Sequence, residues 1–289
     1  MELSLQEKAS NAKNIFKGQS LPMIPQEVLL LKEELTKKYP NTVTIANLIS
    51  KNPENLSLFL KIANSNVVNQ DTQIKDAKAA VNLIGLGDLF NLFLSSVLSR
   101  LLVTEPSDQE IMKEGVQTGI VAAELSYWVY DVSRSEAFML GLLQNIGYLF
   151  MRRYDPNYDD WIAKLKTNPF TMAESESQYY QTDHAVLSSV LGRKWDMPDK
   201  IVKPVMFHHD KKFVAKLKNH DGYAQMVALI MVSSYIVYSS SDEQYLTQEL
   251  KDYRDLGKEF LGLPDKALKA GRAALEKWGG SGNLISGSH

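Results

Sequence analysis

Apolar residues recur along this chain at intervals of three and four, and no stretch of useful length alternates residue by residue between apolar and polar. That spacing marks helices with one buried face, so the pattern predicts an all-α, multi-helical protein. The first helix covers 4–16, with Leu5, Ala9, Ala12 and Phe16 along one side, and Gly18 stops it. Pro22 and Pro25 hold an extended approach to a helix that begins at Gln26, carries Val28, Leu31 and Leu35, and ends at Pro40-Asn41. Thr44 is placed to cap a short helix over 45–50. Asn52 and Pro53 read as the cap and first position of the next helix, which runs to Asn64-Ser65 before a polar loop over 66–75. Further helices are expected over 76–84, 88–102, 108–130, 133–153, 158–166, 172–180, 184–195, 198–208, 223–238, 242–260 and 264–278.

One stretch breaks the rule that helices hide their apolar face. Within the apolar run 138–151, Gln144 and Asn145 stand side by side where every neighbour favours burial. A buried amide left unpaired costs about 1–3 kcal/mol, so both must find partners. Gly141 and Gly147 flank them, each costing roughly 1 kcal/mol in a helix relative to alanine and letting another backbone come close. The stretch therefore reads as a central helix with a polar notch. The serine-containing stripe Asn91, Ser95 and Ser99 has the four-residue spacing of close helix packing, and Pro106-Ser107-Asp108 is the clearest internal boundary.

Composition narrows the classes. With 289 residues, 44% hydrophobic and 23% charged, the chain has an ordinary globular make-up. Its net charge of −2 argues against a nucleic-acid partner, which would call for a basic excess. The absence of cysteine removes disulfides, thiolate metal sites and cysteine nucleophiles. No signal-peptide core opens the sequence, and the most apolar run, 86–102, is interrupted by Asp88, Asn91, serines and Arg100, so no membrane span is expected and the location is read as cytoplasmic.

The ordered motifs resemble a known family. Gly141-Leu142-Leu143-Gln144-Asn145-Ile146-Gly147 looks like the Gly-Leu-Leu-His-Asp-Ile-Gly signature of HD-superfamily metal phosphohydrolases, with Gln-Asn in place of His-Asp. Pro22 and Pro25, Pro53, Asn64-Ser65, Gly85, Asp183-His184-Ala185, Trp195, Pro198 and His208-His209 fall in the order and spacing of the HDOD domain, the HD-related output domain of bacterial signalling proteins. The resemblance implies an N-terminal helix over 1–19 and an HDOD domain over 20–240. That domain divides into a helical half, 20–105, and an HD-like half, 106–240. A C-terminal helical extension over 241–278 and a tail of linker composition over 279–289 would follow.

HD enzymes hold one or two metal ions with a helix-borne His, the His-Asp pair and a later Asp. Carried onto this sequence, the first falls near Gln117 and the pair on Gln144 and Asn145. The last falls within 223–241, which has no carboxylate and offers Ser233 or Ser234 instead. Neutral amides are poor ligands for a dication, and without the ion no bound water is acidified for attack on a phosphoester. The resemblance thus implies a non-catalytic module of signal transduction, with no cofactor. It would bind a protein partner or small ligand through a pocket of Gln117, Gln144, Asn145, His184, His208 and His209.

Other uses of these residues remain open. Gln144 and Asn145 can serve simply to join packed helices. His184 follows a capping Thr182-Asp183 pair, while His208 and His209 close a helix, where a surface cap with a protonated ring suits the helix dipole. The same histidines could instead form a metal site for a divergent phosphohydrolase, although two imidazoles without a carboxylate make a poor hydrolytic centre. A nucleotide-binding sensor without turnover is the third reading. Lys200, Lys203, Lys211, Lys212, Lys216 and Lys218 form a local basic segment, read as a solvated face.

Overall fold

A computed structural model describes residues 3–65, 68, 73–218, 222–240 and 245–279. Much of the expected loop over 66–75, the start of the helix expected at 242, and the tail from 280 lie outside the described residues. Among those described there are helices and no strand, so the fold is all-α.

Helix α1 (Leu5–Phe16) starts on a reciprocal cap between Ser4 and Glu7 and buries Ala12 and Ile15. It is followed by α2 (Gln26–Thr36), α3 (Thr42–Ser50), α4 (Pro53–Ala63), α5 (Ala77–Leu83) and α6 (Leu86–Leu101). Side-chain caps delimit several of these. Asn52 accepts from the backbone of Glu54 and Asn55, and Asp76 from that of Ala79. For α3 the cap is Asn41, which takes the N–H groups of Val43 and Thr44, rather than the expected Thr44. The hydrogen-bonding oxygen has to precede the helix, and Asn41 stands where the chain turns in from Pro40. Ser95 and Ser99 of α6 are fully buried, and Asn91 donates to the Ser135 hydroxyl at 3.0 Å, so the stripe is a helix-packing seam.

Beyond Ser107 come α7 (Asp108–Leu125), α8 (Arg134–Leu143), α9 (Gly147–Tyr154), α10 (Tyr158–Thr167), α11 (Pro169–Tyr180), α12 (His184–Lys194) and α13 (Asp199–Phe207). The one-turn α14 (Phe213–Lys216), not anticipated from the pattern, precedes α15 (Tyr223–Ser239), α16 (Gln248–Leu261) and α17 (Asp265–Ala274). Helix α7 stops short of residue 130 and continues as a tight turn over Ser126–Trp128. Its neighbour α8 crosses it where glycines meet: a Cβ on Gly141 would stand 2.5 Å from the backbone nitrogen of Gly119.

The helix expected over 133–153 is two helices. Between Leu143 and Gly147 the bonds tighten to Ile146 N–H to Leu143 O and Tyr148 N–H to Asn145 O, each spanning three residues. The cause lies far away in sequence. Gly147 N–H donates to Ser188 Oγ at 2.8 Å, and that hydroxyl also lies 3.0 Å from the carbonyl of Gln144 and 2.9 Å from that of His184. Here α12 presses so closely that a Cβ on Gly147 would come within 2.1 Å of the His184 carbonyl oxygen. Gln144 and Asn145 therefore sit on a corner, not along a continuous helix.

The first helix packs on the second half of the chain. The Phe16 ring meets Phe150 edge-on at 5.3 Å, and Lys8 pairs with Asp183 at 3.1 Å. Helix α16 is equally integrated, because Glu249 accepts the N–H groups of Phe170 and Thr171 at the start of α11.

Candidate functional site

Three imidazoles and a carboxylate gather where α11, α12 and α13 meet. Helix α11 ends on Gln181 in the left-handed conformation, φ 59°, and the chain reverses into the Asp183 cap of α12. That reversal lays His184 against Glu176, both fully buried. Glu176 accepts from His184 Nδ1 at 2.7 Å, from the His184 backbone N–H at 2.9 Å and from the Tyr158 hydroxyl at 2.5 Å. A carboxylate accepting from Nδ1–H leaves the Nε2 lone pair of His184 free, and it points at His209 Nε2, 3.1 Å away.

His208 closes α13, and its Nδ1 lies 2.6 Å from the Val205 carbonyl, which can only accept. Its Nε2 therefore carries a lone pair as well, and it is buried with no hydrogen-bond partner among the described residues. His209 Nδ1 is in the same position. Burial and the neighbouring imidazoles lower both groups, His208 to about 3 and His209 well below its ordinary value. His208 and His209 are thus neutral near pH 7. The expected surface cap with a charged ring does not form, because loss of hydration outweighs what a helix C-terminus offers a cation.

His208 and His209 form part of the wall of a cavity of about 30 Å³, together with Gln144, Asn145, Ser234 and Tyr253. Gln144 Oε1 accepts from Ser234 Oγ at 2.9 Å. Asn145 Oδ1 and the Tyr253 hydroxyl, on residues of that wall, are buried without a partner among the described residues. Glu114 of α7 and Lys166 of α10, paired at 2.5 Å, complete the polar part of the wall.

The HDOD sequence model matches residues 21–211, about two thirds of the chain. The chain belongs to the HDOD family. Similar solved structures include an HDOD domain protein of unknown function from Geobacter sulfurreducens, at TM-score 0.66 and 17% identity, with 95% of each chain covered. Another is a proposed phosphohydrolase from Shewanella amazonensis SB2B, at TM-score 0.70 and 17% identity, covering 98% of this chain and 100% of that one. A proposed signal transduction protein from Marinobacter aquaeolei VT8 matches at TM-score 0.59 and 15% identity over 98% of this chain and 66% of its own. An uncharacterized protein of Treponema pallidum (strain Nichols) is 24% identical over an alignment of 199 residues that covers 66% of this chain and 38% of that relative. Identities this low speak for a shared fold.

Apart from His208 and His209, which line the cavity, and the Asp183-His184-Ala185 start of α12, the HDOD motif residues turn out to frame the helices away from it. Pro25, Gly85 and Pro198 are the cap positions of α2, α6 and α13, and Pro53 opens α4. Trp195 Nε1 donates to the Pro22 carbonyl at 3.0 Å, tying two motifs together. Asn64 clasps the ends of its loop with three bonds to Leu60 and Ile74, and Ser65 Oγ donates to the Ile62 carbonyl.

Gln117, expected in the pocket, is a correction. Its Nε2 donates to the Gly279 carbonyl at 3.0 Å, and Glu114, nearly one turn earlier on α7, faces the cavity instead. Residues three apart on a helix share nearly one face but stand about 4.5 Å apart along its axis, so Glu114 meets the cavity while Gln117 is taken up by Gly279. Glu176 and Tyr253 were missed altogether. The sequence around Glu176, Glu174-Ser175-Glu176-Ser177, offers nothing to separate the buried carboxylate from its exposed neighbour. Half of the basic segment is paired: Lys200 with Glu136, Lys203 with Asp199 and Lys216 with Asp210.

Proposed function

We propose that this HDOD protein is a non-catalytic module of signal transduction that acts by binding a protein partner. The observation that carries this reading is the pairing of Gln144 Oε1 with Ser234 Oγ at 2.9 Å, which puts uncharged groups at positions where the HD resemblance calls for metal-binding His and Asp. An amide and a hydroxyl bonded to each other do not form a donor set that repays the dehydration of a dication. The size of the cavity supports the same reading. At about 30 Å³ it holds one or two waters or a small ion, whereas pockets for organic ligands run to about 300–1,000 Å³. A nucleotide bound at this spot would require the helices to part.

Among the described residues no helix is long and apolar enough to cross a membrane. A cytoplasmic regulatory role is in keeping with that and with the near-neutral charge. The test is hydrolysis of a panel of phosphoesters and nucleotides by the purified chain with manganese, magnesium or zinc present, alongside thermal shifts with the same compounds. No turnover and no shift is the expected result. Turnover that is abolished by His184→Ala would overturn the proposal in favour of a divergent phosphohydrolase, and a shift with one nucleotide would favour a sensor.

A further inference from the structure

The three histidines are organised beyond what packing demands. In a protein interior, polar atoms nearly always find partners, and those that do not point to something missing from the account. Here the tautomers are set from outside the cluster: Glu176 takes Nδ1–H of His184, and the Val205 carbonyl takes Nδ1–H of His208. Both rings are left presenting Nε2 lone pairs inward. If His209 Nε2–H donates to His184, then His209 Nδ1 and His208 Nε2 remain as buried acceptors with nothing to accept from. No arrangement of protons among neutral rings answers both.

We infer that His184, His208 and His209 form a binding site for one divalent transition-metal ion of the zinc type. One ring nitrogen from each residue lies within 4.8 Å of those of the other two. Zinc–nitrogen bonds of about 2.0–2.1 Å put tetrahedral ligands roughly 3.4 Å apart. The 3.1 Å separation of His184 and His209 is already close to that, and the widest pair needs to close by only about 1.5 Å. A metal-bound imidazole characteristically donates its other N–H to a carboxylate or a backbone carbonyl, and both arrangements are present here. Glu176 is itself held by Tyr158, so the outer shell is built and not incidental. All-imidazole donors select zinc, nickel, cobalt or copper over magnesium and calcium, which prefer oxygen. The cavity beside His208 and His209 offers room for one further ligand, a water or a partner's side chain.

The three ligands are residues other than Gln144 and Ser234, although His208 and His209 share a cavity with them, and the site does not depend on the absence of catalysis. A chain that binds zinc and also hydrolyses phosphoesters would keep the metal site and sink the non-catalytic reading. A chain that binds none and hydrolyses none would do the reverse.

The experiment uses the full chain, stripped with a chelator and titrated with zinc, with metal content, calorimetry and thermal melting as readouts. One ion per chain, a higher melting temperature with zinc and none with magnesium are expected. Cobalt should develop the visible absorption of a nitrogen-ligated ion. His208→Ala and His209→Ala should each abolish stoichiometric binding while keeping the far-ultraviolet dichroism. Should either fail to fold, Glu176→Gln tests the same point, with affinity expected to fall about 10–100-fold. Failure of the unaltered chain to take up zinc, or binding that survives in the folded histidine variants, would overturn the inference.

Discussion

Two asparagines show how differently this molecule treats polar side chains. Asn64, at the end of α4, uses both ends of its amide: Nδ2 donates to Leu60 O at 2.8 Å and Ile74 O at 2.7 Å, and Oδ1 accepts from Ile74 N at 2.7 Å. Asn145, on the corner between α8 and α9, has a buried Oδ1 with no partner among the described residues. The first is a clasp that holds a loop closed and has no capacity left over. The second keeps capacity in reserve beside a cavity. Full satisfaction identifies a structural residue, and unanswered capacity gathered in one place identifies a site.

The contrast can be broken most severely at the corner itself. Gly147→Ala would push a methyl group to 2.1 Å from the His184 carbonyl, so a loss of about 4 kcal/mol or failure to fold is expected, read by urea denaturation. Asn64→Ala would strand the N–H and carbonyl of Ile74, while Leu60 O keeps its bond from the residue 64 N–H, and should cost about 2–3 kcal/mol in the same assay.

Acid should find the site half before the clasp. The folded chain lowers His208 from 6.5 to about 3, so between those values the unfolded chain takes up a proton that the folded chain refuses. The stability of the metal-free protein is then full above about pH 6.5 and declines as pH falls, by about 2 kcal/mol at pH 5 before His209 is counted. Melting curves across pH 7.5 to 4.5 check this, and a flat profile would mean that the rings are not held neutral.

Smaller effects sharpen the comparison. Asp183→Ala removes the cap on Val186 N–H and the partner of Lys8, with a cost of about 1 kcal/mol expected. Asn145→Ala should stay within roughly 0.5 kcal/mol by urea denaturation, because no hydrogen bond to its Oδ1 is lost. A cost at Asn145 as large as that at Asn64 would erase the distinction between them.

What could be read from the sequence was mostly local. Asn52-Pro53 and Asp183-His184 mark helix starts because a cap and the backbone it satisfies lie within three residues of each other. The HDOD resemblance was legible because proline, glycine and capping residues at set intervals govern where helices begin, and the structure uses them for that. Thr44 was misjudged since two polar residues compete within one turn, and Asn41 is the one outside the helix. The histidines could be named from the sequence, but not their convergence, nor the carboxylate behind them.

The chain's own order of apolar, capping and breaking residues determined the helices, the family and the two neutral amides. Tertiary structure alone decided that α8 and α9 are separate, that Glu114 rather than Gln117 faces the cavity, and that three imidazoles share one buried point. The reason is range: capping and amphipathic spacing act over a few residues, whereas Ser188 reaches 41 residues back to Gly147 and His184 meets His209 across 25. Only packing brings such partners together, and only burial leaves His208 Nε2 and His209 Nδ1 unanswered and lowers both rings toward the neutral form.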